Sequence, residues 1–133
     1  MSIRDNIQII GERIRAAEQR CGRPANSVQL LAVSKKHPAS SIREALAVGQ
    51  HCFGENYVQE MTEKAAELAA ENIAWHFIGP IQSNKTKWIA QTAQWVHSVD
   101  SLKIAQRLSE QKPADAPAIN VCLQVNISDE ATK

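Results

Sequence analysis

Two neighbouring lysines are the residues of this sequence best placed for covalent chemistry. Lys35 and Lys36 directly follow an apolar run at residues 28–34. A lysine that is partly desolvated at the end of a buried strand loses its charge more readily, and a neutral amine can condense with an aldehyde. Adjacent strand residues point to opposite faces, so the spacing does not choose between the two lysines. For either one, a solvated surface charge is the competing interpretation.

The histidines and cysteines lack the spacing of known metal or nucleophile motifs. No HExxH or CxxC pattern occurs, so no metal site is predicted. A cysteine–histidine nucleophile pair has no local signature either. The three cysteines are far apart and odd in number, which favours free thiols in a reducing cytoplasm over a disulfide framework. The residues considered are His37, His51, His76, His97, Cys21, Cys52 and Cys122.

The elements that must position these side chains form a regular repeat. Residues 2–20 have the apolar spacing of an amphipathic helix that Ser2 can cap and Gly22 can end. Five short apolar segments then begin at residues 28, 51, 74, 95 and 118, each of the first four followed by a helical pattern. A step of 21 to 23 residues accommodates a strand, a crossover helix and two loops, which predicts a parallel sheet.

Two α/β architectures accept this repeat. One is a (β/α)8 barrel of the TIM type, and the other is an open doubly wound sheet of the flavodoxin type. The five glycines form neither a GxGxxG nor a Walker pattern, so a nucleotide-binding sheet is not favoured. The predicted fold is therefore the front part of a TIM-type barrel, with five βα units after an N-terminal helix.

Length and composition limit the function further. The chain has 133 residues, 44% of them apolar, which suits a single domain with a real core. Fifteen basic residues nearly balance fourteen acidic ones, so neither nucleic acid nor a membrane surface is an expected partner. No apolar run approaches the roughly 20 residues of a membrane span, and charged residues interrupt any possible signal peptide. We expect a cytoplasmic domain of unknown oligomeric state.

In a barrel, the carboxyl ends of the strands form the active-site edge. Polar residues gather at these predicted ends, although strand ends are also polar simply because they lead into surface loops. The segments concerned are residues 34–37, 54–56, 79–85, 97–100 and 126–129.

Four segments of the sequence resemble the pyridoxal phosphate homeostasis proteins, a family whose barrel is similar to the N-terminal domain of alanine racemase. They are LLAVSKKHP at 30–38, FGENYVQE at 53–60, WHFIGPIQSNK at 75–85, and VNISDE at 125–130 with Lys133. The third segment is the most specific, and together they extend along the whole chain.

The resemblance implies a function and a set of site residues. The lysine of the Ala-Val-Ser-Lys segment, here Lys35, would bind pyridoxal 5'-phosphate (PLP) as an internal aldimine. Asn56 and the loop from His76 to Gln82 would help to line the pocket. Members are regarded as PLP carriers in vitamin B6 homeostasis, without established catalysis, and PLP-dependent apoenzymes are candidate partners. A racemase-type enzyme using the same lysine is one alternative, and a flavodoxin-like binding module without cofactor chemistry is another.

Two departures from the family pattern stand out. Many members carry a second lysine two residues after the Schiff-base lysine, where this chain has His37. The family's last three strands and their phosphate-binding loops are also missing, so residues 1–133 correspond to the N-terminal portion of a PLP-binding barrel. Barrels commonly bind phosphate after strands seven and eight. We therefore expect weaker PLP binding, and a greater tendency to associate, than in a complete homologue.

Overall fold

A computed structural model describes residues 1–128 of the chain. Within them, five helices and five strands follow one another, with a 3₁₀ turn (Ser83–Lys85) before the fourth helix. The elements are α1 (Ile3–Arg20), β1 (Ala32–Val33), α2 (Ala39–Leu46), β2 (Cys52–Glu55), α3 (Val58–Glu67), β3 (Ala74–Phe77), α4 (Thr86–Thr92), β4 (Trp95–Val99), α5 (Leu102–Gln111) and β5 (Asn120–Leu123).

The strands form one parallel sheet in the order β1-β2-β3-β4-β5. Each strand therefore pairs with the next one along the chain. In a flavodoxin-like sheet the strands are all parallel but lie in the order β2-β1-β3-β4-β5, so that β1 and β3 are neighbours. The sequential order confirms the prediction of a partial TIM-type barrel and contradicts the open doubly wound alternative.

The sheet has an outer face toward the helices and an inner face. On the outer face, Phe53, Phe77 and Val96 are almost completely buried. They pack with residues of the crossover helices, including Met61 and Ile89, to form the hydrophobic core. Because side chains alternate along a strand, Gly54, His76 and Trp95, which are register partners, lie on the inner face.

The first helix begins as its sequence predicts. Ser2 and Asp5 form a capping box, in which the Ser2 hydroxyl accepts from the Asp5 amide and the Asp5 carboxylate accepts from the Ser2 amide. Ile3 and Ile7 pack against the core, whereas Ile10, also in the predicted apolar stripe, is exposed. None of the helices among residues 1–128 is both long and apolar enough to cross a membrane.

Strand β1 is shorter than the sequence predicts. The apolar run at 28–34 was expected to be strand throughout, with both faces buried, but only Ala32–Val33 form ladder pairs. The Leu30 carbonyl accepts instead from the Gln50 side-chain amide at 2.8 Å. Val33, whose register partner on the inner face is Gly54, is 48% exposed, so the prediction that both faces are buried is wrong at this residue.

The last predicted strand is also shorter than expected. The apolar segment that begins at residue 118 was predicted to continue as a strand to residue 126, but the ladder covers only Asn120–Leu123, whose residues are all exposed. Asp129, Glu130 and Lys133, which belong to the fourth family-like segment, lie outside the described residues.

Candidate functional site

Lys35 lies in a tight turn that ends β1. The Ser34 amide still donates to the Gly54 carbonyl at 2.9 Å, and the His37 amide then donates back to the Ser34 carbonyl at 3.0 Å. Lys36 has a φ of 65°, the left-handed conformation that such a turn requires at its third position. The Lys35 side chain is exposed and makes no hydrogen bond or ion pair with any described residue. The partial desolvation expected from the sequence is therefore not observed, but no described residue engages the amine.

Asn56 occupies the matching position on the next strand. It follows Glu55 at the end of β2, as Lys35 follows Ser34, and the Ser34 hydroxyl donates to the Glu55 carboxylate. The sheet thus brings Lys35 and Asn56 to neighbouring places on its carboxyl edge. The Asn56 Oδ1 atom is buried and has no hydrogen-bond partner among the described residues. Such an acceptor is a rare feature that suits a ligand donor.

Gly79 permits the close approach of the segments that follow β2 and β3. A Cβ atom at this position would lie 2.1 Å from the Asn56 carbonyl oxygen, far inside van der Waals contact. The Ser98 hydroxyl donates to the Gly79 carbonyl at 2.5 Å, which fixes the same segment to the end of β4. Gly79 belongs to the loop from His76 to Gln82, which the family resemblance assigned to the pocket. This part of the loop is therefore held between the ends of β2 and β4.

A charged network lies beneath the Lys35 turn on the outer face. The Lys64 ammonium, on α3, donates to the Ser34 carbonyl at 2.7 Å, to the Glu55 carboxylate at 2.9 Å and to the Glu60 carboxylate at 2.7 Å. Glu55 is 0% exposed and Lys64 is 8% exposed. We call Ser34, Glu55, Glu60 and Lys64 the outer network.

Glu60 connects the outer network to the turn itself. Its carboxylate also accepts from the Lys36 amide at 2.6 Å. Burial alone would raise the pKa of Glu60, but the hydrogen bonds from Lys64 and Lys36, with the positive charges of both lysines, outweigh burial and lower it. Glu60 therefore stays ionised at neutral pH and holds the turn against α3.

A second polar cluster lies on the inner face. His76 Nδ1 is 2.9 Å from His97 Nε2, and the His76 ring stacks on Trp95 with their planes 2° apart. Burial, followed by the nearby His97, lowers the pKa of His76 to about 4, so this imidazole is neutral at pH 7. Its buried Nε2 has no partner among the described residues. We call His76, His97 and Trp95 the inner cluster.

Sequence reasoning found part of this arrangement. It selected Lys35 and Asn56, and it noted Glu55 as one of several polar residues at strand ends, but it missed Glu60 and Lys64. The Glu60–Lys64 spacing of four residues is a recognisable helical ion-pair signal. No sequence signal shows that this pair reaches the Ser34 carbonyl. Within residues 1–128, no three histidine, cysteine or acidic side chains are grouped so as to hold a metal ion.

Comparisons with known proteins identify relatives along nearly the whole chain. The family model "Alanine racemase, N-terminal domain" matches residues 6–130. The pyridoxal phosphate homeostasis protein of Pseudomonas aeruginosa is 61% identical over 132 residues, covering 99% of this chain and 57% of that protein. The Escherichia coli K12 protein of the same name is 49% identical over 134 residues, covering 98% and 57%. The chain therefore spans a little over half the length of these curated relatives.

Solved structures agree with these matches. PipY of Synechococcus elongatus, solved without PLP, is 45% identical with a TM-score of 0.77, covering 93% of this chain and 57% of PipY. PipY solved with PLP bound is 50% identical with a TM-score of 0.63, covering 77% and 47%. The resemblance read from the sequence is confirmed. The chain belongs to the alanine racemase N-terminal domain family.

Proposed function

We propose that this chain binds PLP as a Schiff base on Lys35 and acts as a carrier in vitamin B6 homeostasis. The names of the relatives and the PLP-bound PipY structure support this proposal. The proposal names Lys35 because its amine is exposed and has no partner among the described residues. Lys35 also lies in a turn at the carboxyl edge of a parallel sheet. That edge is where barrel proteins bind their ligands.

The residues at this edge suit the chemistry of PLP. When bound, PLP supplies an electrophilic aldehyde and an electron-withdrawing ring. Lys35 would hold PLP covalently, its amine condensing with the aldehyde of the cofactor with the release of one water. The unpartnered Asn56 Oδ1 would accept a hydrogen bond from a donor group of the cofactor. Lys64 does not compete for the aldehyde because all three of its N–H donors are already bonded.

Borohydride trapping tests the choice of lysine. The chain is incubated with PLP, its visible absorbance is recorded, and the bound cofactor is fixed by reduction before peptide mass spectrometry. We expect the pyridoxyl group on the peptide that contains Lys35. Lys35→Ala should abolish this adduct, and the matched control Lys36→Ala should retain it. Label on Lys36, or label distributed evenly over surface lysines, would contradict the assignment.

A racemase-type enzyme is the second candidate, favoured by the family model itself, which is that of the alanine racemase N-terminal domain. Such an enzyme needs an acid or base on each side of the cofactor. We propose the carrier role because the curated relatives are named for homeostasis. Incubation of the PLP-loaded chain with L-alanine in D₂O decides between the two. Deuterium at Cα, or formation of D-alanine that Lys35→Ala abolishes, would favour the enzyme.

The proposal also includes a location and a partner class. We place the chain in the cytoplasm, whose reducing conditions would suit free thiols at Cys21, Cys52 and Cys122. A carrier of PLP there would deliver it to PLP-dependent apoenzymes. Transfer of activity from the PLP-loaded chain to such an apoenzyme, faster than from Lys35→Ala mixed with the same PLP, would support delivery.

A further inference from the structure

We propose that Glu55 and Lys64 are positioning residues for Lys35, acting through the main chain on both sides of it. The inference rests on the proposed function, because it concerns how Lys35 is presented to PLP. Neither residue is expected to touch the cofactor, since both side chains lie on the outer face and are buried. Their effect would pass through the turn.

Every polar group of Ser34, the residue before Lys35, takes part in a hydrogen bond. The Ser34 hydroxyl donates to Glu55, and its amide donates to the Gly54 carbonyl. Its carbonyl accepts from the Lys64 ammonium at 2.7 Å and from the His37 amide at 3.0 Å. The end of β1 is therefore held by two charged side chains as well as by the strand ladder.

The residue after Lys35 is held by the same network. The Lys36 amide donates to Glu60 at 2.6 Å, and the same Glu60 oxygen accepts from Lys64 at 2.7 Å. Lys64 is thus bonded directly to Ser34 and through one carboxylate to Lys36. Lys35 lies between two anchored residues and has a side chain without a bond to the described residues. The backbone on both sides of Lys35 is therefore constrained.

The charges explain why the arrangement is specific. Lys64 uses its three N–H donors on three acceptors in buried surroundings, where hydrogen bonds to charged groups are stronger than neutral ones. Glu55 and Glu60 both pair with the Lys64 ammonium, and Glu60 is also influenced by the charge of Lys36. Neutralising Glu55 would weaken the bonds that its carboxylate accepts from Lys64 and from the Ser34 hydroxyl, and with them the hold of the outer network on Ser34.

The test compares PLP binding with the order of the turn in conservative variants. Glu55→Gln keeps the side-chain shape, Ser34→Ala removes a single hydroxyl, and Lys64→Arg keeps the cation. Glu18→Gln is the matched control, because Glu18 is an equally buried carboxylate that accepts from the Asn26 and Val28 amides at the opposite edge of the sheet. Circular dichroism confirms that each variant is folded.

Two readouts are measured on the whole chain. The first is the apparent affinity for PLP together with the share of borohydride-fixed label found on Lys35. We expect Glu55→Gln to lower the affinity about tenfold, the effect of weakening one charged hydrogen bond, and Ser34→Ala and Lys64→Arg to lower it less. The second is hydrogen exchange of the Lys36 and His37 amides without PLP, which should become faster in Glu55→Gln and stay unchanged in Glu18→Gln.

The outcomes separate this inference from the proposed function. If wild type shows no label on Lys35, the proposed function fails and the inference fails with it. If wild type is labelled on Lys35 and Glu55→Gln binds PLP as wild type does, only the inference is overturned, even if amide exchange is faster. An equal loss of affinity in Glu18→Gln would show a general loss of stability and would also overturn it. Should Glu55→Gln fail to fold, Ser34→Ala gives the same comparison.

Discussion

The outer and inner faces of β2 and β3 each bury polar side chains, but the two clusters differ in charge. The outer network places an ammonium between two carboxylates and uses all three of its donors, leaving only the buried Glu55 Oε1 atom without a partner among the described residues. The inner cluster buries a neutral imidazole with one unpartnered nitrogen. Burial of a charge requires matched partners, whereas a histidine can lose its proton instead. The outer network therefore suits fixed positioning, and the inner cluster responds to pH.

The largest expected effect comes from breaking the outer network. Lys64→Met leaves two carboxylates without their buried cation and should lower the free energy of unfolding by about 3–5 kcal/mol. Urea denaturation at pH 7 measures the change. Lys87→Met, at an exposed lysine of α4, is the control and should stay within about 0.5 kcal/mol of wild type. Equal effects for the two variants would show that the outer network contributes no more than a surface charge.

A smaller effect on the free energy of unfolding is expected at Gly79, where the segments that follow β2 and β3 are in close contact. Gly79→Ala would place a methyl group against the Asn56 backbone and should lower the free energy of unfolding by about 1–3 kcal/mol. The control is Gly11→Ala in α1, where a Cβ meets nothing within 4 Å. That change should raise stability by roughly 0.5–1 kcal/mol, because alanine favours a helix. Thermal denaturation of both variants measures this difference, and a stabilising Gly79→Ala would disprove the close approach.

The inner cluster should make the free energy of unfolding depend on pH. The pKa of His76 in the folded protein, about 4, lies below the ordinary value of 6.5, so the unfolded chain takes up its proton first as pH falls. Stability should decline between pH 6.5 and 4, at less than about 1.4 kcal/mol per pH unit, the limit for one proton. His76→Phe should flatten this slope, and His51→Gln, at an exposed histidine, should not. Unfolding at pH 7 and pH 5 gives the comparison, and an unchanged slope in His76→Phe would contradict it.

The smallest effect is expected at the turn itself. Lys36→Gly relieves a left-handed conformation that costs a non-glycine residue roughly 1 kcal/mol, but it also removes a positive charge near Glu60. The two changes oppose each other, so the free energy of unfolding should move by less than about 1 kcal/mol. Borohydride trapping should still label Lys35. A loss of label in Lys36→Gly with unchanged stability would show that the Lys36 side chain takes part in binding.

The repeating elements and the sheet edge were predictable because they depend on local patterns. The step of 21 to 23 residues indicated parallel strands with crossover helices, and the Ser2–Asp5 capping box marked the start of α1. The repeat alone did not decide the order of the strands, since it also suits a doubly wound sheet, and the barrel was predicted because no glycine-rich nucleotide-binding loop occurs. The extent of β1 was overestimated because the Gln50 side chain, distant in sequence, takes the Leu30 carbonyl.

The sequence by itself determined the chemistry that is available: a lysine after a short apolar strand, an asparagine after the next strand, and segments that resemble a known family. Tertiary structure alone decided which side chains are engaged in hydrogen bonds and ion pairs and which have no such partner. Lys64 and Lys35 have identical side chains, but the fold surrounds the first with three acceptors and leaves the second without a partner among the described residues. The physical reason is that burial and hydrogen bonding depend on contacts between residues far apart in the chain, such as Ser34 and Lys64.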